Sequence, residues 1–246
     1  MNKQKIFTAF TLAEVLITLG IIGVVAALTM PALVAKYNEM VMVNKLKRTY
    51  SELANAIELR KAELGTSDYA EQFNPNLSAM EQLEGFTKYL NVIEKCSSSS
   101  NSKGCGGIYK IKPKKRTNDG FGNVSTGGNV SSDRVLLNDG TLVWFGKRNW
   151  SGDCQVTYTK YDKDENGNYT NVVDGKPVPE YYTAQHCAEI FFDIDGPNKG
   201  RNQYGYDCYS FAVKPTKLDQ HSGYGGLYDT MRTEKLDYER YSAVKY

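Results

Sequence analysis

Residues 10–36 read FTLAEVLITLGIIGVVAALTMPALVAK, and the twenty-one residues between Glu14 and Lys36 carry no charge. At about 1.5 Å per residue a helix of that length reaches about 30 Å, one bilayer core. Ahead of it, Lys3 and Lys5 lie on a short leader. The positive-inside tendency keeps that end cytoplasmic, so everything after Lys36 is expected on the other side. Further along, runs such as CSSSSNSKGCGG and KPKKRTNDG are too polar for a second span. A single crossing near the N-terminus is expected.

The exception inside the apolar run is Glu14. A carboxylate at membrane depth costs about 2.5 kcal/mol or more, so one placed there usually has a job. A secretory signal peptide would have a charge-free core followed by a small-residue cleavage site. Val25-Ala26-Ala27 offers such a site, but Glu14 argues against it. A lipoprotein is excluded, because no cysteine precedes Cys96. An ordinary kinked single-span anchor stays open as the alternative. Gly20, Gly23 and Pro31 weaken the middle of the helix, and small residues let neighbouring helices approach closely.

The stretch AFTLAEVLITLGIIGVVAALTMPALVA resembles the N-terminal methylation motif of type IV pilins and type II secretion pseudopilins. The resemblance implies cleavage between Ala9 and Phe10 by a prepilin peptidase, with Phe10 becoming the N-methylated terminus. It implies that Glu14 pairs with the terminal amine of a neighbouring subunit, and that Pro31 is the helix-bending proline. Ala9 departs from the glycine that is commoner before the cut. The implied organisation is a leader over 1–9, a transmembrane and filament-core helix over 10–35, and an extracytoplasmic pilin-like domain over 36–246. The implied partners are like or related pilin subunits, the peptidase/methyltransferase and the bacterial inner membrane.

Beyond the membrane, Val43, Leu46, Tyr50, Leu53, Ile57 and Leu64 make an apolar stripe at helical spacing, and Gly65 is a natural stop. One helix from Phe10 to Leu64 is therefore expected, half apolar and half amphipathic. From Gly65 to about Asp133 the chain reads as irregular, with short helical pieces around Ser78–Leu90. Arg134–Leu137 and Thr141–Phe145 flank Asn138-Asp139-Gly140, a hairpin signature. Gln155–Tyr161 and Tyr169–Val173 are expected to flank a turn at Asn166-Gly167. Glu189–Ile194 and Cys208–Val213 complete the strands. The fold class is α+β: pilin-like, a long N-terminal helix packed on a small antiparallel sheet.

The segment FFDIDGPNKGRNQYGYDCYSF also resembles a signature of pilin-like proteins, through Asp193, Gly196, Asn202, Gly205 and Asp207. Asp195 stands where asparagine is usual, and Arg201 where proline is. All five cysteines follow the apolar run, which fits an oxidising exterior. Cys96 and Cys105 enclose a short polar loop and form the easiest pair. Cys154–Cys187 is favoured as the second, because Cys208 begins a strand; buried thiols are the alternative. No cofactor is required by these residues; calcium is the one candidate. Asp162, Asp164, Asn166 and Gly167 open like a calcium loop, yet Val173 holds the twelfth position where glutamate is needed. A plain Asn-Gly turn is the weightier reading there. Asp193, Asp195 and Asp207 form a second candidate, which the calcium dependence of some pseudopilins supports.

Thirty basic against 28 acidic residues give a formal charge of +2, which argues against nucleic-acid binding by bulk charge. Lys112, Lys114, Lys115 and Arg116 form a short basic run, and such runs are mostly solvated loops. An enzyme is not expected: there are two histidines, and no HExxH, CxxC or phosphate-binding glycine loop. Two functions stand. One is a filament subunit. The other is a membrane-anchored extracellular binding or adhesion module using the tyrosine-rich tail that includes Tyr224, Tyr228, Tyr238, Tyr241 and Tyr246.

Overall fold

A computed structural model describes residues 11–98, 109–114, 129–130, 132–146, 154–220 and 226–240. The chain divides into two units, Met1–Val41 and Met42–Tyr246. Helix α1 (Leu12–Leu64) starts in the first and ends in the second.

In the first unit α1 carries on through Pro31, which has no N–H to offer the carbonyl of Ala27. Its apolar side chains are exposed all round, among them Leu12 at 80% and Leu28 at 75%. This helix is long and apolar enough to cross a membrane.

In the second unit the same helix turns amphipathic. Met42, Leu46, Thr49, Leu53 and Ala56 are buried at alternating steps of four and three, with Val43 and Ile57 beside them, so one face meets the sheet. Thr49 and Ala56 were not in the expected stripe, and Leu64 is only half-buried. Small side chains there let the helix lie close. Gly65, at φ +67°, ends the helix in the left-handed region that favours glycine.

The segment after the helix is more ordered than expected. A 3₁₀ turn (Glu71–Phe73) leads to α2 (Ala79–Thr87). The Ser78 hydroxyl and the Glu81 carboxylate each accept the other's backbone N–H, a capping box. Strand β1 (Val92–Cys96) follows. Its charged Glu94 and Lys95 hid it in the sequence. Next come the two-residue strands β2 (Tyr109–Lys110) and β3 (Asn129–Val130), then β4 (Arg134–Leu137) and β5 (Leu142–Gly146), the expected hairpin.

Strand β6 (Gln155–Lys160) departs from expectation. It does not pair with the stretch after Asn166-Gly167, but with β9 (Glu180–Gln185). Around Asn166-Gly167 there is only a tight turn, with a single Lys163–Tyr169 bridge. A second turn intervenes, in which β7 (Val172–Val173) pairs with β8 (Lys176–Pro177) across Asp174-Gly175. The second turn competes for Val172 and Val173, so the longer pairing falls to β9.

Strands β10 (Ala188–Asp193) and β11 (Cys208–Val213) form as expected, and β12 (Leu218–Gln220) adds an edge from the tail. The main sheet is antiparallel throughout, in the order β1-β4-β5-β10-β11-β12. The tail continues into α3 (Leu227–Thr233), with Leu227 buried.

Every residue of β10 and β11 is buried, because the sheet is covered on both faces. On one face Ile190, Phe192, Tyr209 and Phe211 meet α1 and α2. Tyr50 of α1 sits edge-on against Phe211 and bonds the Tyr228 hydroxyl at 2.8 Å. On the other face Trp144, Phe191 and Cys208 lie beneath Ile111, Val130 and Tyr204. Leu53 is completely buried, whereas Leu59 is 51% exposed. We expect Leu53→Ala to lower unfolding free energy by about 2–5 kcal/mol and Leu59→Ala by under about 0.5 kcal/mol. Denaturation of the detergent-solubilised chain, followed by near-UV circular dichroism, checks this.

Candidate functional site

Two of the groups singled out in the sequence have geometry that can be described: the helix start and the acidic loop. Ala9 and Phe10 lie outside the described residues. Glu14 lies on the first turn of α1. Its Oε2 accepts the Thr11 backbone N–H at 2.9 Å and the Thr11 hydroxyl at 2.8 Å, and the Glu14 N–H reaches the Thr11 Oγ1 at 3.2 Å. This is a capping box, legible in Thr-Leu-Ala-Glu but not noticed there. Glu14 thus supports the start of its own helix, whatever else it does. Pro31 lies about 25 Å further along the helix, among exposed side chains.

The acidic loop joins β10 to β11. Asp193 stands opposite Cys208 in that pairing. One oxygen from each of Asp193 and Asp207 and the Cys208 sulfur all lie within 4.8 Å of one another, fully buried. Asp207 accepts the backbone N–H groups of Arg201 and Asn202 on Oδ2 and of Gln203 on Oδ1. Asp193 Oδ1 accepts those of Asp195 and Gly196, and the Cys208 thiol donates to Oδ2 at 3.4 Å. The matched signature residues fit this clasp. Asn202 takes a left-handed φ of 49° and its amide bonds the Pro197 carbonyl. A side chain on Gly196 would collide with the Gly140 carbonyl, and its φ is +77°.

Asp195 points elsewhere, pairing with Lys45 of α1 at 3.0 Å. Gln203, which the sequence reading missed, is a buried hub. Its amide nitrogen reaches the carbonyls of Pro113, Lys114 and Glu239. Thus the loop holds the 111–114 segment and the end of the tail against the sheet.

All four carboxylate oxygens of Asp193 and Asp207 face N–H or S–H donors, so a calcium ion would have to displace them. The cluster fits a loop clasp and does not fit a cation that needs six to eight oxygens. Asp162 pairs with Lys160 at 2.6 Å. Asp164 accepts the N–H groups of Asn166 and Asn168, closing its own turn on an exposed loop. The structure does not bring Asp162 and Asp164 to the Asp193–Asp207 cluster.

Cys154 and Cys187 are joined by a disulfide, with Cα atoms 4.4 Å apart. Cys208 is a free, buried thiol. Burial and the two carboxylates push it well above the ordinary thiol range, so it stays protonated and unreactive. Cys96 is buried at the end of β1; the Cys96–Cys105 pairing falls outside the described residues. So do Lys115 and Arg116, whereas Lys114 is ion-paired with Asp237. The tail tyrosines that are described pack inward: Tyr228 on Tyr50, and Tyr238 edge-on to Tyr206 with Arg201 over its ring. Comparison with family models, curated proteins and solved structures finds no match to this chain.

Burial raises both aspartates above the ordinary carboxylate range, and the charge of Asp207 adds to this for Asp193. The three N–H groups pull Asp207 back down. Asp193 therefore holds the proton and Asp207 the charge. A raised folded pKa means that the unfolded chain releases this proton first. Asp193 thus contributes a loss of stability as pH rises above about 4. We expect Asp193→Asn to flatten that decline, and to cost little near neutral pH, since its amide oxygen still accepts both N–H groups. Asp207→Asn turns an NH₂ against buried N–H donors and is expected to cost about 1–3 kcal/mol throughout. Urea denaturation of both variants from about pH 5 to 9 distinguishes them.

Proposed function

We propose that this chain is a subunit of a type IV pilus or type II secretion-type filament, made as a single-span membrane precursor and assembled through α1. The observation that carries the reading is the composition of that helix. Its first twenty-four residues, 12–35, are apolar on every side, and their one charge, Glu14, sits at the start. Such a surface is stable in lipid or in a bundle of like helices, and nowhere in water. The resemblance of residues 9–35 to the prepilin motif supplies the chemistry: a cut before Phe10 and a new positive amine four residues from Glu14.

In this reading that amine pairs with Glu14 of a neighbouring subunit. Opposite charges in low dielectric attract strongly, whereas either alone carries a heavy desolvation cost. A subunit added out of register leaves both unpaired, so the pair selects the axial step. The mechanism is assembly, not catalysis.

A membrane-anchored extracellular binding module is the second reading, favoured by the exposed tyrosines of the β6–β9 ribbon. Of the tail tyrosines, Tyr228 and Tyr238 are engaged internally, and Tyr224, Tyr241 and Tyr246 lie outside the described residues.

We expect mass spectrometry of membrane-derived protein to find a Phe10 terminus bearing one extra methyl group. An intact Met1, or a terminus after Ala27, would overturn the filament reading.

The capping box makes Glu14 testable apart from its fold. Glutamine caps as well as glutamate does, so Glu14→Gln keeps the helix start and removes only the charge. We expect normal insertion and cleavage, and a sharp fall in incorporation into filaments. Thr11→Ala removes the cap, leaves the charge and is expected to assemble. Fractionation of cells expressing each variant gives the answer: shedding of Glu14→Gln at the parent level would make Glu14 a capping residue only.

A further inference from the structure

Strands β5 and β10 are neighbours in the main sheet, with Gly146 opposite Glu189. The chain between them leaves the sheet and returns, and β6 and β9 form a two-stranded ribbon on that excursion. A lone pair of strands is marginal in water. This one is fixed in three ways: by the Cys154–Cys187 disulfide at its base, by the His186 N–H on the Cys154 carbonyl at 2.7 Å, and by Tyr158 stacked on Tyr182 at 5.3 Å. Val156 ties the same face to the main core.

Cross-strand partners share a face, and alternate residues along a strand share it too. The pairs Val156–Ala184, Tyr158–Tyr182 and Lys160–Glu180 therefore make one face. The other consists of Gln155–Gln185, Thr157–Thr183 and Thr159–Tyr181. All six residues of that second face are exposed, and Tyr181 is 70% exposed. None is charged, in a chain where 24% of residues are. The ribbon's own charged pair, Lys160–Glu180, lies on the opposite face.

That chemistry narrows the occupant. The hydroxyls of Thr157, Thr159, Thr183 and Tyr181 and the Gln185 amide can each donate and accept hydrogen bonds, and the Tyr181 ring offers an apolar face. An anionic or cationic partner would find no counter-charge here. A lipid surface would find a single apolar group. A neutral sugar chain matches the set: its hydroxyls alternate as donor and acceptor, and its C–H faces stack on an aromatic ring. Threonine is stiff at χ1, and the ribbon is locked, so little order is lost on binding. The three rows are spaced about 6.6 Å apart along the strands, a footprint for a short oligosaccharide.

We propose that the outward face of the β6–β9 ribbon binds neutral carbohydrate, with Tyr181 as the stacking ring. The site stands independently of the filament reading, because it needs neither cleavage at Phe10 nor the charge of Glu14.

The test is isothermal titration calorimetry on the full chain, in a detergent without a sugar headgroup. The probes are cellohexaose, chitohexaose and maltohexaose, with a heparin hexasaccharide as the charged control. Saturable binding of at least one neutral probe is expected, with none of heparin. Tyr181→Ala should weaken it about tenfold, as loss of an aromatic stacking contact does. Tyr181→Phe should retain it, and Lys160→Ala on the opposite face should leave it unchanged. Non-reducing peptide mapping that finds Cys154 joined to Cys187 verifies the ribbon in each variant. No binding of any neutral probe, equal binding by Tyr181→Ala, or preference for heparin would overturn the proposal. So would self-association that Thr183→Lys abolishes without any carbohydrate heat, since a second copy would then be the occupant.

Discussion

The second unit depends on one carboxylate. Asp207 draws the N–H groups of three successive residues onto its two oxygens, and so closes the loop between the two central strands. Those strands support both cores, with helices on one side and Ile111, Val130 and Tyr204 on the other. The loop also binds outward: Gln203 holds two distant segments, and Asp195 reaches α1. A buried charge is ordinarily a cost, and here it is offset by donors that would otherwise be unpaired themselves. Two acids this close cannot both ionise comfortably. Burial holds both above the ordinary carboxylate range, and burial together with the two carboxylates keeps the Cys208 thiol protonated beside them.

How much of this was legible in the sequence followed the type of signal. Alternation and Asp-Gly turns gave the β4–β5 hairpin and both central strands, because those depend on neighbours a few residues away. The 3.6-residue period gave the outer half of α1 but missed Met42, Thr49 and Ala56 on its buried face. Strand β1 escaped because an edge strand with one covered face tolerates Glu94 and Lys95. The pairing of β6 with β9 escaped for a different reason. Two turn signals, at Asn166-Gly167 and Asp174-Gly175, compete over the same residues, and local propensity does not rank them.

The acidic residues show the same limit more sharply. Asp162-x-Asp164-x-Asn166-Gly and the Asp193–Asp207 loop both read as oxygen-rich calcium candidates. Only geometry reveals that the first set spends its oxygens on a lysine and on its own turn, and the second on backbone N–H groups. Gln203 carries no pattern at all, because a glutamine becomes a hub only through three carbonyls far apart in the chain. The Thr11–Glu14 cap, by contrast, was plain in the sequence.

These contrasts bear on where function resides. Among the described residues, the sheet, its loop and the inward-packed Tyr228 and Tyr238 satisfy most of their own polar groups and cover their own apolar surface, and a surface so satisfied has little to offer a partner. Two places differ. The first half of α1 presents apolar side chains on all sides, which water cannot tolerate and lipid or sister helices can. The β6–β9 ribbon presents hydroxyls, amides and a bare ring, which water tolerates well and which another polar, uncharged molecule can replace. The two differ in solvent, in the forces they would use and in the partner each admits. A chain built this way can hold its position through one surface and make contact through another, and a change at either need not disturb the clasp of the acidic loop.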